Sequence, residues 1–251
     1  MSAPRGARLD CLVPEWPAPP GVHAAFTLRG GGVSLPPFDS LNLGTHVGDA
    51  PAAVMQNRQR VRAGLGLPGE PAWLEQVHGT QVLERTAAAL RSPPADALIT
   101  RTAGVVAVVQ VADCLPVLIA ARDGSVVAAA HAGWRGLAAG ILGATVARSG
   151  VPPAQLLAWL GPAIGAAHFE VGGEVRDAFL ARAPRAAAAF AANARGRWQC
   201  DLNLLARQHL EAAGVTAVYG GTWCTYAERE RFFSYRRDGQ CGRMAALIWR
   251  D

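Results

Sequence analysis

Residues 104–136 read GVVAVVQVADCLPVLIAARDGSVVAAAHAGWRG, and this stretch decides the fold class. Gly104 to Val111 is rich in valine, as a strand buried on both faces would be. Val117 to Ala121 and Val126 to Ala130 flank the turn Arg122-Asp123-Gly124-Ser125. An Asp-Gly turn between two apolar runs predicts a β-hairpin. Proline cannot donate to a ladder, so Leu115-Pro116 predicts a break just after Cys114, and His131 is expected to end the second hairpin strand. A cysteine and a histidine therefore stand at the ends of apolar runs. Such a pair suits a transition metal, or else a thiol nucleophile with its base.

Upstream, short strands are expected at Val22 to Leu28, around Leu41, and at Trp73 to Val77. Ala52 to Leu65 carries Val54, Arg58, Val61 and Leu65 at helical spacing. Ala72 to Glu84 reads as a hairpin turning near His78-Gly79. Downstream, Leu137 to Arg148, Glu174 to Ala181, Ala186 to Ala192 and Leu202 to Ala213 read as helices. Leu156 to Leu160, Val215 to Tyr219 and Met244 to Trp249 read as strands. Strands and helices do not strictly alternate, which favours a mixed α+β (mixed α/β) domain with helices outside sheets over a doubly wound nucleotide fold. Gly30-Gly31-Gly32 lacks the GxGxxG spacing and reads as a turn. Residues 1–251 read as one domain, with 1–20 an extended N-terminal segment.

Composition narrows the chemistry. All 24 basic residues are arginine, so Schiff-base, pyridoxal phosphate and P-loop chemistry, which need lysine, are excluded. The arginines are scattered along the chain, which argues against a nucleic-acid surface despite a formal charge of +5. Gly104 to Ala121 is the longest apolar stretch, but Gln110, Asp113 and Pro116 interrupt it, so it reads as buried strands and not as a membrane span. Met1 to Pro20 has no apolar core of signal-peptide length. Five cysteines without CxxC spacing suit a cytoplasmic protein with free thiols.

Of the six histidines, His209 falls in a helix with apolar neighbours, His23 at a strand start and His168 in a loop. His78, in Gln76-Val77-His78-Gly79, falls at a predicted bend where an imidazole can project past a sheet edge. His78, Cys114 and His131 together offer the ligand types of a catalytic zinc site with one open position, and copper is a further possibility. Gly133-Trp134-Arg135-Gly136 precedes a predicted helix, so its N–H groups and Arg135 are candidates to hold a phosphate. Asp113, beside the thiol, is a candidate to orient a ligand or transfer a proton.

Several motifs occur in one order: Phe38-Asp39-Ser40-Leu41-Asn42-Leu43-Gly44, His46-Val47-Gly48-Asp49, Gln76-Val77-His78-Gly79, Ala112-Asp113-Cys114-Leu115-Pro116, His131-Ala132-Gly133-Trp134-Arg135-Gly136, Gly161-Pro162 and Phe232-Phe233-Ser234-Tyr235-Arg236-Arg237. From about Phe26 to Trp249 the chain resembles the family long called multicopper polyphenol oxidases, or laccase-domain proteins. Members are described as purine nucleoside phosphorylases with adenosine deaminase activity, and one branch as peptidoglycan editing factors. The resemblance implies an α/β/β/α sandwich similar to deamidating toxin domains. It also implies zinc on the positions matching His78, Cys114 and His131. Cys241 is a departure, since threonine is commoner before the final Gly-Arg.

The resemblance implies phosphorolysis of adenosine, inosine and methylthioadenosine, plus adenosine deamination. On that reading Asp113, Cys114 and His131 are catalytic, and Asn42, Arg58 and Arg135 contact a purine nucleoside or phosphate. A copper-dependent polyphenol oxidase is the first alternative. It needs a trinuclear cluster of many imidazoles, and only four scattered histidines remain after His78 and His131. A cysteine hydrolase or amidase editing peptidoglycan precursors, with Cys114 as nucleophile and His131 as base, is the second. No nucleic acid or membrane partner is expected, and oligomeric state is not legible.

Overall fold

The computed structural model describes residues 9–86 and 93–251. In chain order, β1 (Cys11–Leu12) and β2 (Val22–Thr27) precede α1 (Pro51–Gly64). Five strands follow: β3 (Val82–Arg85), β4 (Ala97–Thr100), β5 (Ala107–Val111), β6 (Leu115–Ala121) and β7 (Val127–Ala132). Helices α2 (Trp134–Ala139) and α3 (Ile141–Ser149) lead to β8 (Leu156–Leu160), β9 (Glu170–Val171) and α4 (Gly173–Leu180). The chain closes with β10 (Phe190–Ala192), β11 (Trp198–Cys200), α5 (Leu202–Ala212), β12 (Ala217–Gly220), α6 (Tyr235–Asp238) and β13 (Met244–Arg250).

Among these residues the strands form three sheets. The first has the order β1-β2-β13-β5 and is antiparallel throughout. The second, β12-β8-β6-β7-β4-β3, is antiparallel at its centre and parallel at both margins. A small third sheet has the order β10-β11-β9.

Alternation along the strands stacks the two larger sheets. Val109 and Val111 of β5, Met244 and Ala246 of β13, Leu118 of β6 and Val127 and Ala129 of β7 share the cluster between them. The intervening residues Val108, Ala245 and Leu247 turn outward onto Val61 of α1. Val117, Ile119, Ala128 and Ala130 turn the other way, onto Leu137, Ile141 and Leu205 of the helices α2, α3 and α5. The layers are therefore α/β/β/α, as the resemblance implies. Leu98, Leu118 and Leu137 have no exposed surface, and full burial of each leucine is favourable by about 1.5–3 kcal/mol. No described helix is long and apolar enough to cross a membrane.

Six sequence expectations need correction. The hairpin is longer than its turn signal suggests, and Pro116 lies inside β6 opposite His131. The proline is tolerated because it is the second residue of the strand and its carbonyl still accepts from Gly161 N–H at 2.9 Å. Leu41 lies in no strand: it and Leu43 anchor a loop, Leu41 N–H donating to Arg29 O and Leu43 N–H to Arg243 O. Trp73 to Val77 is not a strand, and 72–84 is not a hairpin. A carboxylate takes the N–H groups of Val77, His78 and Gly79 that a ladder would need, and β3 pairs parallel with β4 instead. The helix expected over 137–148 is divided by left-handed Gly140, at φ 104°. Finally, the alanine run from 186 is a 3₁₀ turn, Pro184–Ala189, that gives way to β10 against β11.

Candidate metal centre and cleft

In β7 the residues 127 and 129 face the gap between the sheets, and the same alternation aims His131 into the mouth of that gap. Cys114 arrives by the same parity, just ahead of β6. His78 comes from the loop between Ala72 and β3. The ligand atoms of His78, Cys114 and His131 all lie within 4.8 Å of one another. Cys114 Sγ is 3.7 Å from His78 Nε2, and the two imidazoles meet edge to face with centroids 4.7 Å apart. Sulfur and nitrogen ligands at tetrahedral zinc distances would be about 3.5 Å apart, so this donor set fits a single metal ion.

Asp96 holds the arrangement together, and sequence reasoning missed it. Its Oδ1 meets His131 Nδ1 at 2.8 Å, which leaves Nε2 to face the other ligands. The same carboxylate accepts from the backbone N–H groups of Val77 (3.2 Å), His78 (2.9 Å) and Gly79 (2.7 Å). Those bonds hold His78 in the left-handed region, φ 60°, where a residue with a side chain is strained. One buried carboxylate thus orients two of the three ligands. Burial alone would raise the Asp96 pKa, but the His131 bond and the backbone N–H groups outweigh it and keep the carboxyl below its ordinary range.

The glycines after His131 serve close packing. A Cβ on Gly133 would lie 2.8 Å from His78 Cδ2 and 3.0 Å from Cys114 Sγ, inside the ligand cluster. A Cβ on Gly136 would lie 2.9 Å from Gly79 O. Hence the Gly-Trp-Arg-Gly turn lets the His78 loop approach β7.

Charge in the cluster is separated. Burial would raise the Cys114 thiol, but the charge and hydrogen bond of His131, then those of His78, bring it down to about 6. Burial would lower His131, but the Cys114 charge and the Asp96 bond lift it to about 9. Without metal, the pair is a thiolate beside an imidazolium at neutral pH.

The cluster forms one wall of a cleft of about 940 Å³ whose lining also includes His46, Arg58, Trp73, Gln110, Tyr235 and Arg243. Arg58 Nε and Nη2 donate to Leu43 O at 3.0 and 2.8 Å, and its guanidinium lies 3.8 Å above the Trp73 ring. Burial lowers its pKa to about 10, so it keeps its charge at neutral pH. Arg243 Nη1 donates to Cys241 O and Gly242 O. His46 is pushed below its ordinary pKa by burial and by Arg243 and Arg58. The Arg58 and Arg243 guanidiniums therefore give the cleft that holds the cluster a cationic part, and the lowered His46 adds no charge at neutral pH.

Arg58 thus lines the cleft, and Arg243 and His46 join it. His46 belonged to a quoted motif; Arg243, in the terminal Gly-Arg, carried no signal of its own. Asn42 is fully buried, and its amide is used by Gly44, Asp49 and Arg243 N–H, so it fixes the loop that carries Arg243. Asp113 is also buried, φ 84°, with Oδ1 accepting from Thr225 Oγ1 and Oδ2 from Arg236 N–H, both at 2.6 Å. Asp113 and Asn42 do not line the cleft. Arg135 is exposed, its guanidinium 4.4 Å from the Trp134 ring centroid, outside that lining.

Residues 23–251 match the family model described as multi-copper polyphenol oxidoreductase laccase. The chain is 55% identical over 238 residues to purine nucleoside phosphorylase YfiH of Escherichia coli K12, covering 95% of this chain and 98% of the relative. It is 54% identical to a purine nucleoside phosphorylase of Pseudomonas aeruginosa, covering 95% and 97%. The crystal structure of a Neisseria meningitidis protein of the DUF152 family superposes with a TM-score of 0.93 at 53% identity, covering 96% of this chain and 99% of that one.

Proposed function

We propose that this chain, which belongs to the family described as multi-copper polyphenol oxidoreductase laccase, is a zinc-dependent purine nucleoside phosphorylase. One observation carries the reading: a thiol–imidazole group able to hold a metal and the guanidiniums of Arg58 and Arg243 share one cleft. Its volume of about 940 Å³ suits a small metabolite together with an anion. Names of relatives 55% and 54% identical support the same reaction class.

In phosphorolysis a phosphate oxygen forms a bond to ribose C1′ as the C1′–N9 bond breaks. The bonding pair leaves with the purine, which takes up a proton, and the products are ribose 1-phosphate and the free base. Arg58 and Arg243 hold the dianion with their remaining N–H groups. Their backbone bonds fix both guanidiniums before substrate arrives, which lowers the reorganisation needed in the transition state. Val77 and Tyr235, exposed at the rim, offer apolar faces to the purine.

His78, Cys114 and His131 would hold the zinc, and Asp96 would keep the His131 ring turned to it. When bound, zinc supplies Lewis acidity, enough to bring a coordinated water's pKa to about 7. That chemistry also suits adenosine deamination, in which water replaces the 6-amino group and ammonia leaves. Adenosine, inosine and methylthioadenosine are the proposed nucleosides. Free cysteines fit a cytoplasmic site of action.

The test is product analysis with zinc-loaded protein, inosine and inorganic phosphate. Equimolar hypoxanthine and ribose 1-phosphate, with ammonia from adenosine, are expected. Release of neither base nor ammonia would end this reading. One observation favours a second reading: Cys114 and His131 lie within reach of each other, as the thiol and base of a cysteine hydrolase do, and an amide of a peptidoglycan precursor is the proposed substrate. Amide hydrolysis that survives complete zinc removal would select it.

A copper oxidase is not favoured by the placement of the other histidines, of which only His46 lines the cleft. His23 stacks on Trp249, His168 on Tyr226, and His209 meets Phe179 edge-on, so these three do not converge on the cluster.

A further inference from the structure

Gln110 is 6% exposed, borders the cleft, and its Oε1 has no hydrogen-bond partner among the described residues. Its backbone is satisfied: the N–H donates to Gln76 Oε1 at 2.7 Å, and the carbonyl accepts from Gln76 Nε2 at 2.8 Å. Arg58 and Arg243 are tied to carbonyls, and His131 to Asp96. A buried carbonyl without a donor destabilises a fold compared with an apolar side chain of similar shape. For folding alone, leucine would serve better at this position.

Its place in the sheet indicates what it meets. Gln110 stands opposite Ala245 of β13, two residues from Arg243. The alternation that turns Val108, Ala245 and Leu247 to the α1 side puts Gln110 and Arg243 on that same face. In the other direction, Cys114 follows four residues later, and Gln76, bonded to the Gln110 backbone, is two residues from His78. Gln110 therefore lines the same cleft as Arg58, Arg243 and the metal cluster, with its backbone held by Gln76 of the His78 loop.

In a nucleoside undergoing phosphorolysis, the sugar lies between the phosphate and the base. Ribose differs from both neighbours in offering neutral hydroxyls that donate and accept. A carboxamide matches them, because rotation about its last torsion presents either C=O or NH₂. We infer that Gln110 is a specificity residue whose carboxamide hydrogen-bonds a ribose hydroxyl of the bound nucleoside. The assignment rests on the nucleoside reading above, and it extends that reading from purine recognition to sugar recognition.

The test compares wild type with Gln110→Leu on inosine and its 2′-, 3′- and 5′-deoxy analogues, at fixed inorganic phosphate. In the wild type, one analogue is poorer than inosine in kcat/KM by about tenfold, the scale of a lost neutral hydrogen bond. Gln110→Leu loses the same factor on inosine but processes that analogue as well as the wild type does. Equal losses on all four nucleosides, or no loss on any, overturn the inference.

Thermal unfolding gives a readout independent of turnover. Ligand-free Gln110→Leu unfolds at or above the wild-type temperature, and inosine stabilises the wild type more than the variant. A lower Tm for ligand-free Gln110→Leu, or the same inosine shift in both proteins, overturns the inference. Turnover without Gln110-dependent hydroxyl discrimination removes the inference and leaves the phosphorylase reading. Gln110-dependent stabilisation by inosine without turnover does the reverse. Neither turnover nor stabilisation removes both.

Discussion

Cys114, half-buried at the cleft, and Cys200, buried in the core, are the same residue in two settings with opposite outcomes. Cys200 ends β11 among Phe190, Leu202 and Val171, and burial, with the charge of Asp201 beside it, pushes its thiol up to about 12. Cys114 also loses hydration, yet His131 and His78 bring it down to about 6. The difference teaches that burial alone makes an inert thiol. What makes a ligand is an imidazole held in place by a carboxylate, and a neighbouring glycine that leaves room for the sulfur. The two regions are parts of one sandwich: one is packed core, the other the open end of the layers.

The contrast can be broken by mutation. The largest effect is expected from Cys114→Ala, which removes a ligand: turnover should fall to background and metal analysis should find no stoichiometric zinc. Asp96→Asn should come next, because it leaves His131 without its charged orienting partner and offers His78 a weaker acceptor. Equilibrium competition with a chelator should show zinc affinity lower by about 10–100-fold. The smallest effect belongs to Cys200→Ala. It should retain full zinc content and full turnover, with a stability loss of roughly 1 kcal/mol by denaturant unfolding. A loss of zinc in Cys200→Ala would erase the distinction between the two thiols.

Much of the sandwich was legible, because its signals are local. Val-rich β5, the Asp-Gly hairpin of β6 and β7, and the amphipathic helix α5 all announced themselves by composition and spacing. The cluster His78, Cys114, His131 was legible in residue type, and the fold supplies the convergence that spacing could not show. What stayed hidden is non-local. β4 is only four residues long and carries no turn signal, so its neighbour Asp96 gave no sign that it would meet residues 77–79 and 131. The glycines of Gly133-Trp134-Arg135-Gly136 looked like an anion loop, whereas their reason is the approach of the His78 loop from 50 or more residues away in sequence. Asn42 and Asp113 read as chemistry because they are polar residues in motifs, and burial with complete hydrogen bonding makes them scaffold instead. Arg243 was invisible for the opposite reason: the pairing of the adjacent β13 with β5 and the bonds of Asn42 and Leu43 to its backbone carry it to the cleft.

The most direct test is the pH dependence of alkylation at Cys114 in metal-free protein, followed by peptide mass analysis with iodoacetamide. A thiol with a depressed pKa is thiolate above that value and loses reactivity as pH falls through it. Cys114 should therefore be half-reactive near pH 6, fully reactive at pH 7.5, and protected by one equivalent of zinc, while Cys200 stays unmodified throughout. His131→Asn should move the midpoint upward, toward that of an ordinary thiol. A wild-type midpoint near 9, or alkylation of Cys114 that proceeds unchanged with zinc present, would contradict the claim that His78, Cys114 and His131 form a charge-separated metal centre.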